Sequence, residues 1–277
     1  MHHIIDWNEL WKATYTPHGG RHKDHDPGKV WDKKAPYYDL ESAGAGQGAP
    51  EDLKIAGIRH GETVLDVGAG TGRLAVPIAA IAGHVTALDP SEKMLAYLQR
   101  KMEAAGRENY SCIQMRWEDA DIGVNVEPHD VVIASYSLGF YDVGAALAAI
   151  DAAALRCAYL FWHAGEWRTS EEKALWEEVF GAESLRKGYP DYIYLVNILH
   201  QMDIYANVRI YTTEEAVHYA SPEEAAERWM KLHDAPAGKV GVIREHFTRM
   251  LTSATDGGYI HRRCRRNAAI WWEKEQV

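Results

Sequence analysis

The residues best suited to chemistry lie in the stretch 64–72, VLDVGAGTG, where an apolar segment ends in Asp66 and runs into a glycine-rich turn. Gly68, Gly70 and Gly72 remove the side chains from this turn, so the backbone can bend sharply and lie close against a ligand. The following residues have the apolar spacing of a helix, whose first backbone N–H groups would point toward that ligand. This pattern predicts a small-molecule binding site.

The spacing of the glycines argues against a dinucleotide as that ligand. The dinucleotide fingerprint is G-x-G-x-x-G, whereas here the third glycine comes one position early. The carboxylate of Asp66 would also repel a pyrophosphate, so a cationic ligand suits it better. Asp89 ends a second apolar run one strand-helix-strand step later, where a carboxylate can accept hydrogen bonds from ribose hydroxyls.

This region resembles the signature segment of class I S-adenosylmethionine-dependent methyltransferases. The resemblance implies that Asp66 and the backbone from Gly68 through Ala69 to Gly70 hold the amino-acid end of the cofactor S-adenosylmethionine, and that Asp89 holds its ribose. It also implies further contacts with the adenine and the acceptor, namely Pro90 and Ser91 beside the adenine, Asp119 at its amino group with Trp117 and Glu118 next to it, and Ser135 in the strand that faces the acceptor.

A second segment carries the same resemblance. Residues 31–39, WDKKAPYYD, are similar to the W-D-x-x-A-x-x-Y-D stretch that covers the cofactor in many small-molecule methyltransferases, which implies a lid with Tyr38 as its contact residue. The Ala- and Gly-rich run 42–49 has the composition of a flexible hinge. We therefore expect a lid and hinge over 1–50, a cofactor-binding core over 51–165, and the C-terminal part of the core over 166–277.

Apolar runs and helical patterns alternate after residue 50, as in a mostly parallel sheet with helices on both faces. We predict an α/β fold with a Rossmann-like, doubly wound sheet of seven strands. The predicted strands are 62–67, 84–89, 110–115, 129–135, 156–162, 205–211 and 259–272; the predicted helices are 51–58, 72–82, 91–105, 142–154, 170–181 and 191–203, with Ser91 and Asp142 as N-caps.

Residues 213–257 form a predicted helical insertion before the last strand. It either builds the acceptor pocket or is a remote decoration or subunit contact, so a homodimer stays an alternative.

Methyl transfer from a sulfonium is an in-line displacement, which requires alignment, exclusion of water and, for some acceptors, a base. The carboxyl ends of the fourth and fifth predicted strands offer Ser135, Tyr136, Tyr141, His163 and Glu166 as catalytic candidates. His163 is the best of them, because histidine titrates near neutral pH. The alternative is that His163 is an ordinary packed or surface histidine.

The composition narrows the function classes. A formal net charge of −10 disfavours nucleic acid as a partner, and three isolated cysteines indicate neither a disulfide framework nor a thiolate metal site. The start of the chain lacks a basic-then-apolar leader, and no apolar run approaches ~18 residues, so we expect a cytoplasmic protein that does not contact a membrane. His18, His22 and His25 are irregularly spaced, and we predict no metal.

The run 261–266, HRRCRR, is the exception to the acidic composition. If it is a strand, alternation divides the arginines between two faces. Solvated or salt-bridged arginines are the simpler interpretation. The sharper hypothesis is that the face carrying Arg263 and Arg265 meets an anionic group of the substrate.

We therefore expect an enzyme that methylates a small molecule. The chain has Ser135-Tyr136-Ser137-Leu138 where methylases of exocyclic amines carry N/D-P-P-Y/F, and the acceptor atom stays open. One alternative is a noncatalytic sensor or scaffold that binds S-adenosylmethionine. A nicotinamide-linked oxidoreductase is the other, and it would need the missing glycine spacing.

Overall fold

The computed structural model describes residues 5–14, 26–45, 49–166, 168–182, 184, 190–255 and 257–274. Its helices are α1 (Trp7–Thr14), α2 (Pro27–Ala45), α3 (Ala49–Ala56), α4 (Ala75–Ile78), α5 (Glu92–Ala104), α6 (Val143–Ala153), α7 (Ser170–Phe180), α8 (Tyr192–Gln201), α9 (Pro222–His233) and α10 (Val240–Met250). Its strands are β1 (Thr63–Val67), β2 (His84–Asp89), β3 (Tyr110–Gln114), β4 (His129–Ser135), β5 (Ala154–His163), β6 (Asn207–Tyr219), β7 (Thr252–Ser253) and β8 (Tyr259–Glu273).

One sheet organises the described part of the chain, with the strand order β3-β2-β1-β4-β5-β8-β6 and β7 paired to β8. The pairs among β1 to β5 are parallel, and β8 runs antiparallel to both β5 and β6. This order confirms the predicted doubly wound α/β class. The carboxyl ends of β1, β2, β4 and β5 meet at one edge, where such sheets bind ligands.

The central strands are buried on both faces, which explains why they read as continuous apolar runs. On one face, Leu65 and Leu160 pack with α6 and α8. On the other face, Val64 and Ile133 pack with α4 and α5. Ser91 and Asp142 cap α5 and α6 as predicted, each side chain accepting a hydrogen bond from a backbone N–H of the first turn.

Three predicted boundaries were wrong. The helix predicted over 72–82 is confined to α4, because Pro77 has no N–H to donate and the glycine turn occupies the residues before it. The hinge predicted over 42–49 begins as helix, since α2 continues to Ala45; residues 46–48 lie outside the described residues. Strand β6 continues to Tyr219 through pairing with β8, so the insertion begins seven residues later than predicted.

The insertion packs on the end of the sheet. Ile243 and Phe247 of α10 share an apolar cluster with Leu175 of α7 and Val217 of β6. The α7 helix begins with a capping box at Thr169, which fixes where the chain turns away from β5. The insertion is therefore part of the walls above the carboxyl edge and not a remote decoration.

Among the helices that the structure describes, none combines the length and the apolar character needed to cross a membrane.

Burial of β5 should dominate stability at the sheet centre. Leu160 has no exposed surface, whereas Leu155 of the same strand is 59% exposed. We expect Leu160→Ala to lower the free energy of unfolding by about 2–5 kcal/mol, because it leaves a cavity between strand and helices. Leu155→Ala, the matched control, should change it by less than about 0.5 kcal/mol. Equal effects of the two variants in urea unfolding would contradict this packing.

Candidate active site

Two glycines of the turn after β1 have different structural roles. Gly68 has φ +73°, and a Cβ there would lie 2.3 Å from the Cβ of Ser137, so no larger residue fits. Gly70 has φ +54°, and the nearest atom to a Cβ built there is a ring carbon of Tyr38 at 3.9 Å. Gly68 therefore allows the turn to pack against the β4 end, while Gly70 leaves an open surface under α2.

The carboxylate of Asp89 is oriented by this turn. It accepts hydrogen bonds from the backbone N–H groups of Gly70, at 3.0 Å, and Ser91, at 2.8 Å. Burial raises the pKa of Asp89 to about 6, although the two N–H groups oppose that increase. The Asp89 carboxylate also lines the cavity described below, where its remaining lone pairs can accept hydrogen bonds from a ligand.

Asp66 is the more deeply buried carboxyl group, with 2% of its surface exposed. Burial raises its pKa to about 7, and the negative charge of Asp89 contributes, while Arg73 and the N–H of Ala75 oppose the increase. Two carboxyl groups that favour neutrality at the same strand edge form a site that a cationic ligand would stabilise.

Helix α2 lies across the turn and is fixed at both ends. Asp32 accepts a hydrogen bond from the Ser91 hydroxyl at 2.6 Å, and Asp39 forms an ion pair with Lys101 of α5. Tyr38, between these contacts, lines the cavity.

A cavity of about 530 Å³ runs from the turn along the ends of β4 and β5 to a chamber walled by α7, α9, α10 and β8. It brings together most of the residues predicted from the sequence, namely Tyr38, Gly68, Gly70, Asp89, Pro90, Trp117, Glu118, Ser135, Tyr136 and His163. Asp66 and Ala69 are buried behind this lining.

Four further predicted residues do not line the cavity. Ser91 is fully buried, Glu166 is exposed and pairs with Lys173, and the other two are Tyr141 and Asp119. Tyr141 is 48% exposed, and the Lys12 ammonium lies 5.9 Å from its ring centre, because the loop after β4 has already turned to the surface. Asp119 is exposed, and its neighbours Trp117 and Glu118 line the cavity instead. Of these two, the Trp117 indole donates to the carbonyl of Ala146, so it also anchors the wall to α6.

Tyr136 follows β4 with φ +54°, a left-handed conformation that costs a non-glycine residue of order 1–3 kcal/mol. Its hydroxyl is hydrogen-bonded to that of Tyr211, which in turn donates to Asp52. The Arg73 guanidinium lies 5.5 Å from the Tyr136 ring centre and pairs with Asp52 at 2.8 Å. Burial and Asp52 raise the pKa of Tyr136, so the phenol stays protonated at neutral pH.

His163 ends β5, with its ring centre 5.0 Å from that of Tyr136. Burial, together with the nearby positive charges of Arg265 and Arg168, lowers its pKa to about 4. The imidazole is therefore neutral at pH 7 and can accept a proton, although it is a weaker base than an exposed histidine.

The residues that the sequence analysis missed belong to the far chamber. Arg168, Trp176 and Trp229 line it, and none belongs to a recognisable motif. The pairs Trp176/Phe180 and Trp229/His233 are four residues apart on their helices, and this aromatic spacing was the available signal. The predicted alternation of the arginines between two faces is present in β8: Arg263 and Arg265 line the chamber and form ion pairs, whereas Arg262 is exposed.

Comparison with known proteins agrees with this geometry. Residues 64–156 match the family model described as a methyltransferase domain. The magnesium protoporphyrin IX methyltransferase of Synechocystis, solved with bound S-adenosylhomocysteine, superimposes with a TM-score of 0.52 at 15% identity, covering 96% of this chain and 99% of that one. Residues 64–156 are therefore a methyltransferase domain, which agrees with the resemblance to class I S-adenosylmethionine-dependent methyltransferases.

Two sequence relatives add detail. An uncharacterised protein of Haemophilus influenzae is 33% identical over 188 residues, which are 66% of this chain and 66% of that protein. The ribosomal RNA small subunit methyltransferase A of Magnetococcus marinus is 43% identical over 58 residues, 21% of this chain and 20% of its own length. The chain therefore spans just under two thirds of the length of the Haemophilus protein and about a fifth of that of the Magnetococcus enzyme.

The cofactor of the family is S-adenosylmethionine, and the residues of this methyltransferase suit it. Its sulfonium and ammonium groups are cations, and the turn offers two buried carboxyl groups and a surface at Gly70 free of side chains. These features fit a sulfonium nucleoside better than a pyrophosphate.

Asp66 should make stability depend on pH. Its folded-state pKa of about 7 exceeds the value of 3.8 for a free carboxyl group, so the folded state binds the proton more tightly than the unfolded state. The resulting contribution to the free energy of unfolding is lost as pH rises from about 4 to 7. Relative to the wild type, we expect Asp66→Asn to gain roughly 1 kcal/mol of unfolding free energy per pH unit over that range, then level off. Urea unfolding of the two cofactor-free proteins measures this difference in unfolding free energy. Titrations of the groups that both proteins share cancel in the difference. A difference independent of pH would contradict the raised pKa.

Proposed function

We propose that this protein transfers the methyl group of S-adenosylmethionine to a small-molecule acceptor in the cytoplasm. The observation that carries the proposal is the single cavity that joins the carboxylate-flanked turn to a chamber over Tyr136 and His163. A protein that only bound the cofactor would have no need of the second half of this cavity.

The donor half is assigned from the orientation of the acids. Asp89 would accept from the ribose hydroxyls, and the Gly68–Gly70 backbone would receive the amino-acid end, with the Asp66 carboxyl group buried behind it. Pro90, Trp117 and Glu118 would form the adenine side. When bound, the cofactor supplies a methyl group on a positively charged sulfur, which the acceptor atom displaces from that sulfur.

The protein's own part is alignment and exclusion of water. Tyr38 on α2 would cover the donor, and the strained backbone at Tyr136 would hold its ring against the reacting groups. His163 is the candidate to take a proton from an oxygen or nitrogen nucleophile, since its imidazole is neutral at pH 7.

An acceptor of small size is supported by the walls of the chamber. Lys34 of α2 pairs with Asp234 beyond α9 at 3.0 Å, so the lid and the insertion meet across the cavity. The net charge of −10 also disfavours attraction to a polyanion such as RNA. The three cysteines are free, as suits a reducing compartment.

The deciding experiment combines binding with turnover. Calorimetry should register S-adenosylmethionine and S-adenosylhomocysteine but not NADH. Release of S-adenosylhomocysteine should then be measured with a panel of small acids, phenols, amines and thiols, and with ribosomal RNA. Binding without turnover on any acceptor would favour a sensor, whereas turnover on RNA alone would overturn the small-molecule acceptor.

The ribose assignment gives a specific prediction. Asp89→Asn should weaken S-adenosylhomocysteine about tenfold or more, because it removes a charged acceptor held by two N–H groups. Asp121→Asn, an exposed acid elsewhere on the surface, is the matched control and should leave the affinity unchanged. Calorimetry of both variants measures it, and equal affinities would refute the role of Asp89.

A further inference from the structure

The acceptor chamber carries an unusual set of charges for an enclosed space. Among the described residues that line it, the cations are Lys34, Arg168, Arg263 and Arg265, and the carboxylates are Glu41 and Glu172. A third carboxylate, Glu215, lies against Arg263 and Arg265. Guanidinium groups are costly to bury unless anions oppose them.

The carboxylates near the chamber are already shared among several donors. Glu41 accepts from the Tyr219 hydroxyl at 2.8 Å and lies 3.6 Å from Arg263. Glu172 accepts the backbone N–H of Thr169 at 2.9 Å in the capping box, and its other oxygen lies 3.6 Å from Arg265. These contacts hold the guanidinium groups in position. Because each carboxylate is shared among several donors, it offsets only part of the positive charge that an anionic ligand would meet.

Arg168 is the cation placed most directly for a ligand. It is 8% exposed, and its guanidinium lies 4.0 Å from the ring centre of Trp176. Glu166 and Glu172 attract it, but Glu166 also pairs with Lys173 at 2.9 Å and Glu172 with Arg265. Stacking on Trp176 fixes the plane of the guanidinium, which then presents its N–H groups in a fixed fork.

Arg168 and Arg265 both line the chamber, and Glu172, which lies 3.6 Å from Arg265, also binds the backbone of Thr169, the residue after Arg168. Both Arg168 and Arg265 repel a proton on His163, and Arg265 also lowers the pKa of Arg168. His163 and His261 have pKa values of about 4, mainly because they are buried, so neither adds charge at pH 7. An anion beside His163 would offset the repulsion between the arginines.

Part of the remaining wall is apolar. The rings of Trp176 and Trp229 lie 5.7 Å apart in an edge-to-face arrangement, and Phe247 lines the chamber from α10. Flat, apolar ligands suit such a wall.

We propose that the acceptor is a small aromatic carboxylic acid, whose carboxylate lies against Arg168 and Arg265 and whose ring packs on Trp176 and Trp229. This inference rests on the proposed methyl transfer and names the substrate class for the same site. A guanidinium fork matches a carboxylate with two parallel hydrogen bonds, and a monoanion avoids the repulsion that Glu172 would exert on a dianion.

The test uses the full-length protein saturated with S-adenosylhomocysteine. Benzoate, the hydroxybenzoates and the aminobenzoates are titrated by calorimetry, each beside its carboxamide. We expect at least one acid to bind about tenfold or more tightly than its amide, as for a lost charge-assisted pair. Equal binding of acids and amides, or no binding of either, would overturn the proposal.

Arginine substitutions test whether Arg168 is the group that gives the preference for the acid over its amide. Arg168→Gln should abolish the preference for the acid, and Arg168→Lys should retain only part of it because lysine lacks the fork. Arg262→Gln, which removes the same charge from the outward face of β8, is the matched control and should keep the full preference. An unchanged preference in Arg168→Gln would contradict the assigned site, provided that its thermal unfolding matches the wild type; if it does not fold, Arg168→Lys decides.

The outcomes separate this inference from the proposed function. If S-adenosylhomocysteine does not bind, the methyltransferase proposal itself fails. If it binds with equal affinity in all variants and no acid is preferred, only the acceptor class fails. Tighter binding of phenyl phosphate than of benzoate would replace the carboxylate by a phosphate and so refute the class proposed here.

Discussion

Burial of two carboxyl groups at neighbouring strand ends is the constraint on which the rest of the site depends. Parallel pairing of β1 with β2 places Asp66 and Asp89 at one edge, and desolvation raises the pKa of each. The N–H of Gly70 opposes this for Asp89, which requires the backbone to approach without a side chain. A cationic nucleoside bound there, as proposed above, would favour the ionised form of both carboxyl groups.

The elements that exclude water come from distant parts of the chain and are tied together at one residue. Glu41 of α2 accepts from Tyr219 of β6 and lies within 3.8 Å of Arg228 of α9 and 3.6 Å of Arg263 of β8. The helix that covers the donor is therefore joined to the walls of the acceptor chamber. Displacement of α2 would expose both halves of the cavity together, which links closure over the cofactor to assembly of the acceptor site.

Local patterns predicted strands β1 to β5 and the turn after β1, because a continuous apolar run and a glycine-rich turn are each defined within a few residues. They failed where tertiary contacts decide. β6 continues to Tyr219 only through pairing with β8, and Tyr141 is exposed because its loop leaves the edge. The acceptor chamber joins Arg168 to Arg265 across almost a hundred residues. The alternation along β8 predicted that Arg263 and Arg265 share one face. No sequence motif pointed to Arg168, Trp176 or Trp229, which line the same chamber.

The chemistry of His163 follows from the same charges. An imidazole with a pKa of about 4 resists a proton because it is buried and because Arg265 and Arg168 lie near. An acceptor anion beside those guanidinium groups would reduce their repulsion and make the imidazole a stronger base. Binding of the acceptor would then raise the pKa of His163, the group proposed to deprotonate it. A neutral molecule of the same shape would leave His163 weakly basic, so the chamber would discriminate at the chemical step as well as at binding.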